Sequence, residues 1–532
     1  MGNQGESSFI LAITLVATLG GLLFGYDTAV ISGATKALKE FFVLPLYADT
    51  GLASTVIIQY KVIITFCFVL IASLLGNFFI RLFGKKKGAV YTLVLFVAGV
   101  VVLYTQSWSQ PNELTENIAN SINGFTISSA LIGCIIGGSI GGFISNRVGR
   151  KRGLILAALL FTFSAIGSAI PDILNFMGGG VISSFIFYRV IGGIGVGIAS
   201  MLSPMYIAEI APANIRGKLV SFNQFAIIFG MLVVYFVNYA IARQGDDQWI
   251  METGWRWMFA SETIPAAVFF ILLFFVPETP RYLVRKNKTD AARSVLNKLI
   301  GSERAKLVLS EIKETMSEKS VSWLSYGGLV IFIGVMLSVF QQFVGINVVL
   351  YYAPEIFRNL GSDTDASLLQ TIIVGAINLT FTVVAILTVD KLGRKPLMII
   401  GSLGMAVAMG CLGFTFFWGN QGFAALIFML VYVAAFAVSW GPVTWVMLSE
   451  IFPNSIRAAM SIAVAAQWIA NLIVSWTFPI MNDNSWLTNL FHHGFSYWIY
   501  GIMGIVSALF MWKIVPETKG KTLEEMQKLW KK

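Results

Sequence analysis

Long apolar stretches alternate with short polar segments along nearly the whole chain. About 20 apolar residues in a helix cross the hydrocarbon core of a bilayer, and most of these stretches are about that long. About fourteen of them can be marked, at 9–32, 57–80, 88–105, 121–144, 153–171, 181–202, 219–242, 255–276, 323–350, 368–389, 397–418, 422–447, 457–479 and 495–515. The pattern predicts an all-α integral membrane protein with an even number of spans.

Composition and charge agree with this prediction. Of the 532 residues, 56% are hydrophobic and 12% charged, whereas soluble domains carry about 25% charged residues. The net charge of +10 lies in alternate loops, so it sets orientation and does not indicate nucleic-acid binding. Segment 278–322 holds ten Lys and Arg residues, and segment 107–123 holds none. The positive-inside rule therefore predicts that both termini and segment 278–322 are cytoplasmic.

Three short motifs occur twice, at nearly one offset. Gly149-Arg150-Lys151 returns as Gly393-Arg394-Lys395, and the pair Glu209 and Arg216 returns as Glu450 and Arg457. Pro277-Glu278-Thr279 returns as Pro516-Glu517-Thr518. The repeats predict two homologous halves that face each other across a substrate site near the bilayer midplane.

The repeats also divide the chain into segments. We predict an N-terminal membrane bundle at 1–276, a cytoplasmic helical linker at 277–322, a C-terminal bundle at 323–515 and a cytoplasmic tail at 516–532. Stretch 57–105 has no counterpart in the second half. It is predicted to be an inserted helical hairpin, which leaves the topology of everything after it unchanged.

These motifs resemble those of the sugar porter family in the major facilitator superfamily, as do GGLLFGYDTAVISG from Gly20 and QQFVGINVVLYYAPEIF from Gln341. The resemblance implies two six-helix bundles and proton-coupled symport of a monosaccharide by alternating access. D-xylose is the first expected sugar, and D-glucose or another hexose is possible. A proton-independent facilitator and a membrane sugar sensor remain alternatives. We expect a protein of the bacterial inner membrane that contacts lipid and functions as a monomer, with no nucleic-acid partner.

Asp27 lies inside the first apolar stretch. A carboxylate there costs about 2.5–3.5 kcal/mol on insertion scales, so it is protonated, paired or functional. Arg189 lies in another apolar stretch and cannot lose its charge. The resemblance places Arg189 opposite Asp27 and implies a role for both in proton coupling, with Glu262 in the same network. A static ion pair, or an arginine that snorkels to the interface, is the structural alternative.

Uncharged polar and aromatic residues in the apolar stretches suit a neutral sugar. An amide offers donors and an acceptor to adjacent hydroxyls, and an indole offers a flat apolar face with one donor. The resemblance implies that the sugar contacts are Phe24, Gln224, Gln341, Gln342, Asn347, Tyr352, Phe436, Gly441, Trp445, Gln467 and Trp468. A lone buried amide is more often a contact between helices. Met231 departs from the xylose-transporting pattern, which has Gln there, and leaves the sugar open.

The repeated charged motifs are predicted to form cytoplasmic ion pairs that brace the two halves when the outer side is open. The residues concerned are Arg150, Glu209, Arg216, Arg394, Glu450 and Arg457. Plain topogenic charge would explain the arginines but not the paired glutamates.

Other features argue against further chemistry. The run from Gly193 to Gly197 lies inside a membrane stretch, so it favours helix packing over a dinucleotide loop. His492 and His493 have no other ligand types nearby, and the three cysteines lie in apolar stretches. The sequence therefore predicts no metal, no cofactor and no enzyme active site.

Overall fold

The computed structural model describes residues 4–103, 113–173, 175, 180–212, 215–315, 323–419, 423–452, 460–519 and 530. Across these ranges the chain forms helices and turns and no β-strand. Arg457 lies outside the described residues, and its ion pair with Glu450 therefore stays a prediction.

The first half begins with a long helix and a hairpin, followed by further membrane helices. They are α1 at Gln4–Leu38, α2 at Thr50–Leu103, α3 at Glu116–Arg147, α4 at Arg150–Ala169, α5 at Val181–Ile210, α6 at Arg216–Ala242, α7 at Trp255–Ser261 and α8 at Thr263–Leu272. A π-helical turn, Lys39–Val43, and the short helix Pro45–Ala48 extend α1.

Three short helices then lead into the second half. The linker helices are α9 at Pro280–Arg285, α10 at Thr289–Ile300 and α11 at Ser302–Thr315. The second half contains α12 at Gly328–Phe343, α13 at Ile346–Asn359, α14 at Thr364–Leu392, α15 at Arg394–Phe417, α16 at Phe423–Val438, α17 at Trp440–Ile451, α18 at Met460–Asn482, α19 at Ser485–Phe491 and α20 at Phe495–Lys513.

Twelve helices in the described ranges are long and apolar enough to cross a membrane. One of them, Thr50–Ile80, is the first arm of α2. The last membrane segment of the first half is split into α7 and α8 and falls below that length. The predicted all-α fold of two six-helix bundles with an additional hairpin is confirmed.

Proline and glycine account for two of the interrupted helices. Pro265 has no N–H to donate to the carbonyl of Ser261, and the helix breaks between them, at Glu262. Gly345 has φ 91° and ψ 16°, a left-handed conformation that suits glycine and separates α12 from α13. Both breaks lie beside groups that the sequence analysis singled out.

The hairpin turns at Gly84, whose φ of 79° suits glycine. Its two arms pack closely, since a Cβ on Gly76 would lie 2.6 Å from Thr92 and a Cβ on Gly99 would lie 1.7 Å from Phe68. The helix starts at Thr50, earlier than the predicted 57, because small and polar residues precede the apolar run without breaking the helix.

The repeated Gly-Arg-Lys and Pro-Glu-Thr motifs meet within each half. Glu278 Oε1 accepts a hydrogen bond from the Arg150 N–H at 3.1 Å, and Glu278 Oε2 accepts from the Lys151 N–H at 3.2 Å. Gly149 precedes them with φ 102°, and a Cβ there would lie 2.2 Å from Glu278 Oε2. A carboxylate is favourable at a helix N-terminus, so Glu278 caps α4. Burial raises the pKa of Glu278, and these N–H donors oppose the rise.

Glu517 repeats this arrangement in the second half. It accepts from the Arg394 N–H at 3.2 Å and from the Lys395 N–H at 3.0 Å, so it caps α15. Gly393 has φ 93° at the matching position. The motifs therefore tie the end of each half to the start of its third membrane helix, counted without the hairpin.

Glycines let α3 and α5 approach at backbone distance. A Cβ on Gly133 would lie 2.0 Å from the Val190 carbonyl oxygen, and one on Gly193 would lie 1.8 Å from the Ala130 carbonyl oxygen. Small residues at such spacing permit close contact of membrane helices. The Gly193 run is therefore a packing element, as predicted.

We expect Gly193→Ala to destabilise the protein and Gly410→Ala to leave it unchanged or slightly more stable. The added methyl of the first meets a backbone carbonyl, and overpacking costs about 1–3 kcal/mol. A Cβ on Gly410 meets nothing within 4 Å. The midpoint of thermal aggregation in detergent would measure both, and equal midpoints for the two variants would contradict this account of α3 and α5.

Candidate functional site

A fully buried ion pair lies in the interior of the first half. Arg189 Nη1 on α5 donates to Asp27 Oδ1 on α1 at 2.7 Å, and Nη2 donates to the Asp27 carbonyl at 3.1 Å. The side chains are 2% and 0% exposed, respectively. The Arg189 guanidinium also lies 5.3 Å from the centre of the Phe259 ring. The structure thus brings together the two charged residues predicted to pair.

Glu262 completes the charged set at the break between α7 and α8. It is 0% exposed and lies next to Asp27 and Arg189. Neither of its carboxylate oxygens makes a hydrogen bond to another described residue, and the same holds for Asp27 Oδ2 and Arg189 Nε. Two carboxyl groups therefore lie beside one guanidinium group, and all three side chains are buried.

A cavity of about 2760 Å³ lies between the two halves. The end of the membrane helices where α9 to α11 lie is called the linker end. The cavity opens at this end, because Leu299 and Ile312 of the linker helices line it. The opposite end, around Lys39 and Asp483, is called the far end. Phe24, one helical turn before Asp27, lines the cavity, whereas Asp27, Arg189 and Glu262 do not.

Five of the predicted sugar contacts line this cavity, namely Phe24, Gln224, Trp445, Gln467 and Trp468. They come from both halves, on α1, α6, α17 and α18. The ring centres of Phe24 and Trp468 are 5.5 Å apart, so aromatic surface from the two halves meets at the inner end of the cavity.

Three more predicted contacts form a hydrogen-bonded row of amides behind Gln467. Gln467 Nε2 donates to Gln341 Oε1 at 2.5 Å, and Gln342 Nε2 donates to the same oxygen at 3.4 Å. Asn347, across the Gly345 break, donates to Gln342 Oε1. Gln467 Oε1 makes no hydrogen bond to a described residue. The row can exchange these internal bonds for bonds to the hydroxyls of a ligand.

The remaining predicted contacts lie off the cavity in this conformation. Tyr352 is 0% exposed and donates to the Ser475 carbonyl at 2.8 Å. Phe436 lies against Gly441, where a Cβ would be 3.3 Å from its ring. Met231 is also buried and does not line the cavity.

The charged motifs at the linker end pair within each half. Arg150 Nη2 lies 2.8 Å from Glu209 Oε1 in the first half. Arg394 in the second half contacts both oxygens of Glu450, at 2.8 Å and 3.2 Å. Among the described residues, the hydrogen-bond partner of Arg216 is the Ala211 carbonyl, at the long distance of 3.5 Å. The cavity separates the two sets.

Polar contacts join the two halves at the far end. Lys39 Nζ on the extension of α1 lies 2.6 Å from Asp483 Oδ2, just after α18. Asn120 Nδ2 donates to the Asp483 carbonyl at 3.1 Å, and Trp476 Nε1 donates to the Ser121 carbonyl at 3.1 Å. Two further hydrogen bonds join α3 to residues after α18. Asn484 Nδ2 donates to Asn117 Oδ1, and the Ser485 N–H donates to Glu116 Oε1.

No sequence motif marks these far-end residues. Lys39 and Asp483 are 444 positions apart and belong to no repeated motif. A charged residue directly after an apolar stretch is the only signal they carry. Lys36, one turn earlier, pairs instead with Asp247 of its own half, and this hydrogen bond holds the pKa of Asp247 below its usual range.

The chain has clear relatives among known proteins. It matches the family model described as "Sugar (and other) transporter" over residues 13–111 and 102–530. It is 54% identical to the D-xylose-proton symporter of Escherichia coli (strain K12) over 545 residues, which covers 100% of this chain and 97% of that protein. It is 35% identical over 536 residues to the glucose facilitated diffusion protein of Zymomonas mobilis, with 100% and 99% covered.

A solved structure supports the same relationship. The chain superposes with a TM-score of 0.77 on the inward open conformation of the xylose transporter XylE from Escherichia coli, at 53% identity. The match covers 98% of this chain and 100% of that one. The open linker end and the joined far end of this chain are therefore seen in an arrangement that a solved structure also adopts.

We expect Lys39→Glu to loosen the far end, because it places like charges where an ion pair joined the halves. Lys39 is 36% exposed in its side chain, so solvent weakens the pair and the expected shift is small, about twofold to fivefold in the open fraction. Maleimide labelling of Ser475→Cys in nanodiscs, without the three native cysteines, would report it as a faster rate. Ser475 is buried and off the cavity.

The charge swap Lys39→Glu with Asp483→Lys should restore the slow rate. Asp172→Lys is the matched control, since its partner Arg256 belongs to the same half. Equal acceleration by both single reversals, or no recovery in the swap, would show that the ion pair does not hold the far end closed.

Proposed function

The chain belongs to the sugar (and other) transporter family, and from this membership we propose that it is a proton-coupled symporter of a monosaccharide. D-xylose is the first candidate and D-glucose or another hexose the next. The observation that carries the proposal is the buried Asp27–Arg189 pair with Glu262 beside it, one helical turn from Phe24, which lines the cavity between the halves.

The charge balance of this group favours proton uptake. With both carboxylates ionised, the group would carry a net charge of −1 in an apolar interior, which is costly. One bound proton makes the group neutral. In this conformation Arg189 holds Asp27, neither carboxylate oxygen of Glu262 has a hydrogen-bond partner among the described residues, and the two carboxyl groups can share one proton.

Coupling follows from the position of the pair. A proton that reaches Asp27 from the far end, when that end is open, neutralises the carboxylate and weakens its bond to Arg189, which also donates to the Asp27 backbone carbonyl on α1. Because α1 also carries Phe24, a small movement of α1 reaches the sugar contacts. Proton and sugar then bias the same equilibrium between two conformations, which is what coupled transport requires.

The sugar contacts are the cavity-lining aromatics and the amide row. Gln467 Oε1 offers an acceptor, and the amide nitrogens can turn from one another to sugar hydroxyls. Trp445 and Trp468 offer apolar faces to the C–H groups of the ring. Tyr352 and the α13 helix beyond Gly345 close the far side of the site, and Phe436 with Gly441 supports Trp445 from behind.

Alternating access gives the charged motifs their role. When the linker end closes, the glutamates and arginines now paired within each half come to face the other half and brace it. We assign the linker end to the cytoplasm, because segment 278–322 is rich in Lys and Arg, and place both termini there. The protein then lies in a bacterial inner membrane and works as a monomer.

Asp27→Asn should abolish uphill uptake and leave exchange. Asparagine keeps the shape and one acceptor oxygen but cannot carry the proton. Vesicles with an inward proton gradient and labelled D-xylose or D-glucose would show accumulation in the wild type and an internal-to-external ratio of about one in the variant. The sugar that accumulates identifies the substrate that a pocket with Met231 accepts.

Asp172→Asn is the matched control, since it removes an exposed carboxylate that pairs with Arg256. It should leave accumulation intact. A relative of this chain is a facilitated diffusion protein, so the competing outcome is specific. Equilibration that ignores the gradient in wild type and both variants would make this chain a facilitator and remove the proton role of Asp27.

Gln467→Ala should raise the KM for the transported sugar about tenfold. A hydrogen-bond partner lost from a buried contact costs about 1–3 kcal/mol. Gln244→Ala is the control, because Gln244 is an exposed amide that bonds the Ala240 carbonyl near the far end. Initial uptake rates against sugar concentration give both constants. An unchanged KM in Gln467→Ala would place the sugar elsewhere.

A further inference from the structure

At the far end, the hairpin α2 contacts the interface between the two halves through Tyr60. Its first arm packs on the far-end part of the first half, where Ile57 and Ile64 are buried and Gln59 accepts a hydrogen bond from Ser183. Tyr60 points from this arm to α3. Its hydroxyl is 2.6 Å from Ser121 Oγ, and its ring meets Phe125 edge to face at 5.4 Å.

Ser121 and Phe125 are also the residues that receive α18 of the second half. Trp476 Nε1 donates to the Ser121 carbonyl at 3.1 Å and to Ser121 Oγ at 3.2 Å. The Trp476 ring meets Phe125 edge to face at 5.3 Å. A Cβ on Gly124 would lie 2.2 Å from the Trp476 carbonyl oxygen, so the two backbones touch here.

One hydroxyl therefore joins the hairpin, the first half and the second half. The indole N–H can only donate, so Ser121 Oγ accepts from Trp476. Either hydroxyl of the Tyr60–Ser121 pair can donate, and the Ser121 proton is available for this bond. When Ser121 donates to Tyr60, its oxygen becomes a better acceptor for Trp476, because hydrogen bonds in a chain polarise one another. Tyr60 in this way strengthens the bond from Trp476.

We propose that Tyr60 is a positioning residue for the far-end closure, through which the hairpin favours the conformation with the far end closed. This inference rests on the proposed alternating access, because the contact between α3 and α18 must separate when the far end opens. The contact from Tyr60 to Ser121 stays within the first half and its hairpin. Its contribution to Trp476 is lost on opening, so it stabilises the closed state only.

Tyr60→Phe tests the inference with little change in packing, because the ring and its contact with Phe125 remain. The variant should raise the open fraction of the far end by up to about twofold, because Tyr60 adds only a fraction of the free energy of the Trp476 hydrogen bond. Hydrogen–deuterium exchange of the full chain in nanodiscs, without sugar or proton gradient, would show faster exchange at 116–125 and 470–482. Tyr91→Phe is the control, an exposed hairpin tyrosine that contacts Phe79 and Phe83.

Trp476→Phe separates this role from a merely structural one. It should speed far-end exchange by itself, and Tyr60→Phe should add nothing in that background. Equal effects of Tyr60→Phe in both backgrounds, or a change confined to 50–64, would overturn the inference, since Tyr60 would then only hold the hairpin in place. Hydrogen–deuterium exchange does not require transport. A lack of sugar uptake would therefore contradict the proposed function but would not test the role of Tyr60.

Discussion

The structure depends on the requirement that a charge removed from water must be matched. Arg189 keeps its charge at any physiological pH, and its position in the interior of the first half forces a carboxylate to lie beside it. That carboxylate fixes the facing sides of α1 and α5. A second one, Glu262, is accommodated where Pro265 interrupts the helix. Charge, helix packing and helix break thus meet at one point.

The rest of the molecule separates what must stay rigid from what must move. Within the first half, glycines bring α3 and α5 to backbone contact, and in each half a glutamate near its end caps α4 or α15. Between the halves at the far end, aromatic contacts are joined by polar contacts that can be broken and re-formed, such as Lys39 with Asp483 and Trp476 with Ser121. A neutral ligand binds between the halves by replacing amide contacts of the same kind.

Much of this was predictable because it rests on local chemistry. The length of the apolar stretches indicated the membrane spans, and the charges inside those stretches drew attention to Asp27 and Arg189. The hairpin followed from the lack of a counterpart to 57–105 in the second half. What could not be predicted depends on distant residues. No local pattern pairs Lys39 with Asp483, and nothing in the sequence places Tyr60 against Ser121. The open end of the cavity is a property of one conformation, which a sequence does not select.

The two glutamate caps also bear on how the chain is made. Glu278 reaches back 128 positions to the Arg150 N–H, and Glu517 reaches back 123 positions to the Arg394 N–H. Each cap closes on its own half, directly after the last membrane helix of that half. The first bundle can therefore form its own hydrogen bonds while the second is still being synthesised. Each half can fold separately, and the two folded halves then associate.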